Sequence, residues 1–106
     1  MVCYVDDMYK YPMGRFRRMK MSHMIADTEE ELHAMADRIG LNRRWYQGDH
    51  YDLSMGLRKL ALEAGAVGVD LRTLSMMNFR RRVEGALGLP EEVAAWRAAY
   101  LRASDE

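Results

Sequence analysis

The chain has 106 residues and a mass of 12.3 kDa, which sets one domain with one core rather than several. Hydrophobic residues are 49% and charged residues 30%, a balance that excludes a disordered chain, and no apolar run approaches a membrane span. Lys and Arg number 16 against 16 Asp and Glu, so the formal net charge is zero, which excludes a wholly basic nucleic-acid protein but not local patches.

The chain opens on Val2 to Met8, which alternates and is rich in Val and Tyr. That pattern predicts a strand carrying Asp6 and Asp7 at its far end. Tyr9 to Arg18, with Pro12 and Gly14, reads as a loop, and Met19 to Ile25 as a second short strand ending near His23. Thr28-x-x-Glu31 is a capping box preceded by Asp27, with acids filling the first turn. The helix it starts has Leu32, Met35, Ala36 and Ile39 on one face and ends at Gly40.

Arg43 to Gln47 reads as a short strand with Trp45 inward, and Gly48 to Asp52 as a polar loop. Asp52 or Ser54 caps a second helix with Leu57, Leu60, Ala61 and Ala64 on its apolar side, closed by Gly65. Ala66 to Val69 is a short strand and Leu71 to Met77 a helix, while Asn78 to Gly88 carries no clear period. Pro90, at a first helical position before Glu91 and Glu92, opens a last helix with Val93, Trp96 and Tyr100 on its stripe. Trp96, Tyr100 and Leu101 offer more apolar surface than one short helix buries, which suggests a homo-oligomer.

This alternation of strands and helices predicts an α/β domain: a small parallel or mixed sheet covered by helices, with an added C-terminal helix. The alternative joins the first two strands as a hairpin across the loop holding Pro12 and Gly14. Met1 to Val5 runs straight into Asp6-Asp7 without a basic segment and a long apolar one, so the cytoplasm is the expected location and no membrane the expected partner. The single cysteine, Cys3, excludes an intramolecular disulfide, and its apolar setting reads as core. The 10 methionines fall on apolar positions and read as soft core filler, with an adaptable contact surface as the rival.

In parallel sheets, ligands bind beyond the carboxyl ends of the strands. Asp6, Asp7, His23, Asp27, Gln47, His50, Tyr51 and Asp52 all fall at one such predicted edge, with Arg58 available to meet negative charge. Asp6, His23 and His50 are the candidates for catalysis, and the same three with Asp52 are the candidates for metal ligation. Two imidazoles with carboxylates suit a divalent metal such as zinc, manganese or iron, which can activate water, and a His–Asp pair can equally work as a general base without metal. Each residue also has a structural alternative: Asp27 and Asp52 as helix caps, and one of Asp6 and Asp7 turned to the opposite face by strand alternation. His33, beside Glu29 and Asp37 on the first helix, reads as a boundary residue.

Two basic segments stand out. Lys10 to Lys20 holds five positive residues and no acid, and Arg72 to Arg82 holds four. Arg15, Arg17, Arg18, Arg43 and Arg44 with Tyr4, Tyr9, Tyr11, Trp45, Tyr46 and Tyr51 could grip a nucleotide or a single strand by stacking and phosphate contacts, the rival being arginines on solvated loops. Arg80-Arg81-Arg82 reads as a solvated run whose members point in different directions.

In order, Tyr4-Val5-Asp6-Asp7-Met8, Ser22-His23-Met24-Ile25-Ala26-Asp27-Thr28, Glu31-Leu32-His33, Ile39-Gly40, Trp45, Gln47 and His50-Tyr51-Asp52 resemble the bacterial and phage family called domain of unknown function 4031. Arg58 or Lys59, Ala61 and Gly65-Ala66 continue the resemblance, which spans residues 2 to about 75. The resemblance divides the single domain 1–106 into a family-like α/β core, 2–75, and a C-terminal helical extension, 76–106. It implies that the polar strings share a role and names no reaction. Three functions stand against one another. The first is a pocket for a small anionic or nucleotide-like ligand, with metal-assisted hydrolysis. The second is a phage-type interaction or inhibitor protein that binds a host protein or sequesters a host signal. The third is a nucleic-acid binder using the basic segments.

Overall fold

The computed structural model describes residues 2–105. Five strands and four helices follow one another as β1 (Cys3–Val5), β2 (Arg15–Phe16), β3 (Met19–Ala26), α1 (Glu29–Arg38), β4 (Tyr51–Ser54), α2 (Met55–Glu63), β5 (Val67–Gly68), α3 (Leu71–Glu84) and α4 (Val93–Ser104). The sheet is mixed. β3 is its centre, antiparallel to β1, β2 and β4, and the parallel pair is β1 with β5. Met24 pairs with Val5 on one side and Tyr51 on the other, so β1 and β4 lie on opposite edges of β3.

Strand alternation sorts the core into two layers. Cys3, Val5, Met24, Ala26, Tyr51 and Leu53 face Leu32 and Ala36 of α1 and Ala61 of α2. Tyr4 and Ile25 face the other way, onto Leu74 and Met77 of α3 with Leu87 and Val93. At about 1.5–3 kcal/mol for each large apolar side chain fully buried, these two layers hold the sheet between its helix pairs. The Cys3 thiol lies in the first layer, and burial pushes its pKa up to about 11.

Local signals account for most boundaries. Thr28 Oγ1 accepts from the Glu31 N–H (3.1 Å), and α1 ends where Gly40 takes φ 78°. Ser54, rather than Asp52, caps α2 through the Leu57 N–H, and Asp70 caps α3 through the Thr73 N–H. The stretch Asn78 to Glu84 continues α3, and Gly85 stops it at φ 85°. Pro90 starts a single 3₁₀ turn that leads into α4.

Several predicted elements differ. The first strand stops at Val5 and gives way to a 3₁₀ turn at Met8–Lys10, because the Asp6 carboxylate draws in the Met8 N–H. Arg43–Trp45 is a 3₁₀ turn, not a strand, and Trp45 is 56% exposed rather than inward. Its Asn42 side chain accepts from the Arg44 N–H, a local bond that competes with extended backbone. The strand of this region instead begins at Tyr51, inside the segment predicted as loop. Trp96 is used within the chain: its ring stacks on Tyr100 (5.3 Å) and its Nε1 donates to Glu84 (2.6 Å).

No helix of the described residues is long and apolar enough to cross a membrane.

Candidate functional site

The site is built across β1, β3 and β4 on the face that carries α3. His23 stands in the middle of β3, and the antiparallel register sets Asp52 of β4 directly opposite it. Directly opposed residues share a face, so His23 and Asp52 project together. On the other side, the Asp6 N–H bonds to the His23 carbonyl (3.1 Å), which carries the ladder one residue past β1.

Asp6 is completely buried, and its carboxylate is fully used. Oδ1 accepts from the backbone N–H of Met8 (3.1 Å) and of His23 (2.9 Å), and Oδ2 lies 2.7 Å from His23 Nδ1. A carboxylate can only accept, so Nδ1 donates to it, and the His23 Nε2 lone pair is left facing away from Asp6. His50 repeats the arrangement, with Nδ1 2.6 Å from Asp49 Oδ1.

The two imidazoles meet edge to face, with centroids 5.0 Å apart. Between them lies Asp52. Its Oδ1 is 3.4 Å from His50 Nε2 and 3.9 Å from His23 Nε2, while its Oδ2 accepts from Gln47 Nε2 at 2.7 Å. Oδ1 itself is buried without a hydrogen-bond partner. One ligand atom from each of His23, His50 and Asp52 lies within 4.8 Å of the others, and no other such trio of His, Cys, Asp and Glu occurs among the described residues.

α3 pins the loop that carries this site. Asn78 Nδ2 donates to Asp49 Oδ2 (2.8 Å), and the exposed Arg82 stands 3.5 Å from the same oxygen. Arg81 reaches through to the carbonyls of Asp49 and Ala26 and to Asn78 Oδ1. Residues 78, 81 and 82 lie at helical i, i+3 and i+4 spacing, so one face of α3 meets the loop. His23, Ile25, Asp49, His50, Leu74, Ser75, Asn78 and Arg82 line a cleft of about 220 Å³. A larger groove of about 510 Å³ between α3 and α4 is lined by Arg72, Ser75, Met76, Phe79, Arg97 and Leu101.

The charges of the site reinforce one another. Asp52 beside Nε2 pushes His50 above its ordinary pKa; burial works against this, and Asp49 at Nδ1 adds to it. His50 in turn holds Asp52 below the usual carboxylate range, burial opposing and Gln47 and His23 assisting. Burial alone would raise Asp49, but its bonds to His50 and Asn78, with Arg82 nearby, outweigh that and lower it.

Of the residues singled out in the sequence, the fold brings together Asp6, His23, Gln47, His50 and Asp52. The cause is not the shared end of parallel strands but the antiparallel register of β3 with its two neighbours. The remaining candidates do other work. Asp7 Oδ1 accepts from the Leu71 N–H (2.7 Å) at the start of α3, and Asp27 Oδ1 from the Leu87 N–H (2.9 Å), tying down the segment before α4. Tyr51 is fully buried in the opposite layer, where its hydroxyl meets His33 Nδ1 at 2.6 Å. Arg58 Nε donates to the Asp6 carbonyl (3.0 Å), and its guanidinium lies 4.9 Å from the centre of the Tyr9 ring, so it braces the backbone beside the site. Sequence reasoning missed Asp49, Asn78, Arg81 and Arg82. Asp49 had a signal, since it precedes His50 within Asp49-His50-Tyr51-Asp52, whereas the α3 residues are brought in by packing across about 30 positions.

The fold and the site define a small α/β protein with a mixed sheet and a clustered His/Asp centre. Residues 3–81 match the family model described as "Protein of unknown function (DUF4031)", and the chain belongs to that family. The match includes Asp6, His23, Asp49, His50, Asp52, Asn78 and Arg81, and runs further into α3 than the recognised strings do. No curated protein and no solved structure gives a significant match.

Proposed function

We propose that His23, His50 and Asp52 bind a divalent transition metal, and that the protein uses it to hydrolyse a small anionic, nucleotide-like ligand held in the cleft beside α3. One observation carries the reading. A buried carboxylate oxygen, Asp52 Oδ1, has no hydrogen-bond partner and faces two imidazole Nε2 atoms whose rings are each anchored at Nδ1 by a second carboxylate. A buried acceptor without a partner costs about 1–3 kcal/mol, and a cation at the meeting point removes that cost. Carboxylate–histidine–metal relays fix the tautomer and raise ligand basicity, which is the role the geometry gives Asp6 and Asp49.

Two imidazoles and one carboxylate suit zinc, manganese or ferrous iron. A metal held by these three side chains would supply Lewis acidity and an activated water near neutral pH. Hydrolysis of an anionic ester would then form a bond from the water oxygen to the electrophilic centre and break the bond to the leaving oxygen, the water's proton passing to that oxygen through solvent. Arg82 at the cleft rim supplies positive charge for the substrate, with Ser75 and Asn78 as polar neighbours.

The test is native mass spectrometry with elemental analysis on protein purified without tag or chelator, followed by titration with Zn²⁺ and Mn²⁺. One metal per chain is expected, lost in His23→Ala, His50→Ala and Asp52→Ala variants that remain folded by circular dichroism. Folded wild-type protein that takes up neither ion would overturn the proposal.

A further inference from the structure

We infer that the β2–β3 hairpin is a single-strand nucleic-acid platform that leads the strand along the sheet face into the His23/His50/Asp52 centre, so that the nucleotide-like ligand of that centre is the end of a phosphodiester chain. This rests on the metal reading for its second half and stands on separate residues for its first.

The register supplies the path. Phe16 of β2 is paired with Met19 of β3, so the two share a face. Alternation along β3 puts Met19, Met21 and His23 on one side. Phe16, Met19 and Met21 therefore continue the same face that carries His23 and Asp52, over roughly 13 Å at about 3.3 Å per residue. α3 covers this face at Ile25 through Leu74 and Met77, but Phe16 is 61% exposed and Met19 49% exposed. An apolar, polarisable strip thus runs from His23 through the half-buried Met21 to the exposed Met19 and Phe16 at the hairpin tip.

The charge around the strip has one sign. Lys10, Arg15, Arg17, Arg18 and Lys20 are all exposed, with no acid between Lys10 and Lys20; Arg17 and Arg18 stand at the tip of the strip, while Arg15 and Lys20, paired with each other, point to the opposite face of the hairpin. Lys10 pairs with Asp7 at 3.6 Å, whereas Arg15, Arg17, Arg18 and Lys20 make no salt bridge among the described residues. Arg17 lies over the Phe16 ring at 5.5 Å, a stacked cation and aromatic pair of the kind on which bases stack. The tip is also strained. Arg17 sits at φ 58° in the two-residue turn, a place glycine or asparagine fills at lower cost. This left-handed turn sets the Arg17 charge over the exposed aromatic at the end of the strip. A partner protein with an acidic surface could use the charges, but it would not need a strip continuous with a hydrolytic centre. Stacking surface bordered by unpaired cations matches a single strand, whose bases and phosphates are both available.

The test is fluorescence anisotropy with a labelled 12-nucleotide single-stranded DNA, the same sequence as RNA, and the duplex, first in EDTA. Both single strands should bind better than the duplex. Affinity should fall about fifty-fold from 50 to 200 mM salt if four phosphates are contacted. Phe16→Ala with Arg17→Gly should weaken binding about tenfold or more, and Arg17→Gly relieves the turn, so the fold is kept. In Mn²⁺ the wild-type protein should bind the oligonucleotide more tightly, and Asp52→Asn should show no such gain. No binding at 50 mM salt, a flat salt response, preference for duplex, or no loss in the double variant each overturns the platform. Recovery of a protein that the double variant fails to retain, with no oligonucleotide binding, overturns it in favour of a protein contact. If Mn²⁺ binds but leaves oligonucleotide affinity unchanged, the path into the centre is refuted. If the EDTA results hold and Mn²⁺ does not bind at all, the platform stands and the metal reading falls.

Discussion

Asp6→Asn separates shape from proton placement at the site. The wild-type carboxylate takes three hydrogen bonds while completely buried, two from the backbone N–H groups of Met8 and His23 and one from His23 Nδ1. Asparagine fills the same volume and keeps Oδ1 for the two backbone donors, but it presents an NH₂ group where Oδ2 stood. Two donors cannot face each other, so Nδ1 must become an acceptor and the ring proton must move to Nε2. That proton then occupies the direction in which the metal would be held. Loss of such a supporting carboxylate lowers metal affinity about 10–100-fold, so a drop in this range is expected for Zn²⁺ measured by chelator competition. Imidazole ¹⁵N shifts should report the change of tautomer. The control is Asp6→Ala, which strips the acceptor from both backbone donors. At about 1–3 kcal/mol per buried donor it should cost about 2–6 kcal/mol in urea unfolding, a large part of a total of about 5–15 kcal/mol. Wild-type metal affinity in Asp6→Asn, or loss of less than about 1 kcal/mol in Asp6→Ala, would refute the reasoning.

Metal removal gives a second check: Zn²⁺ at 100 times its Kd should add about 2.7 kcal/mol and raise Tm by on the order of 10 °C, reversed by EDTA. Tyr51→Phe loses the bond to His33 Nδ1, so about 1 kcal/mol of stability should go in urea unfolding while metal affinity stays within about twofold. A Cβ at Gly14 would stand 2.0 Å from the Met8 carbonyl oxygen, so Gly14→Ala should destabilise by at least about 1–3 kcal/mol in denaturant titration. For Cys3, burial moves the thiol from its ordinary 9.0 to about 11. Above pH 9 the unfolded chain gives up this proton before the folded one does, so its contribution, complete below pH 9, should be lost as pH rises toward 11. Native protein should likewise resist a thiol-labelling reagent at pH 8 that modifies it fully in urea.

Local chemistry was legible in the residues themselves. Thr28 before Glu31, Gly40 after Ile39 and Pro90 before two acids act on their own turns; the bounds of α1 fall within two residues of those they predict, and Pro90 starts a 3₁₀ turn three residues ahead of α4. The alternation of Val2 to Met8, of which the strand keeps only Cys3 to Val5, and of Met19 to Ile25 likewise identifies strands, because a pleat sorts side chains whatever its partner is. Asn42 and the Arg43–Trp45 turn show the limit: one side-chain bond to the backbone overrode the apparent strand. The residue types of the site were also legible, since His and Asp at polar positions next to strands stand out against their neighbours.

What the sequence alone determined is therefore the four helices, the strands near β1, β3 and β5, and a list of chemically capable side chains. Which of those side chains meet was decided only by the tertiary structure, since facing is a property of register. His23 meets Asp52 because β3 and β4 pair antiparallel with these residues opposite, and a one-residue slip would send them to different faces. The same register turns Tyr51 into the core, while packing of α3 brings Asn78, Arg81 and Arg82 to Asp49 from about 30 residues away. Such contacts leave no mark in local sequence because each partner, taken alone, is an ordinary surface residue of its own helix or loop.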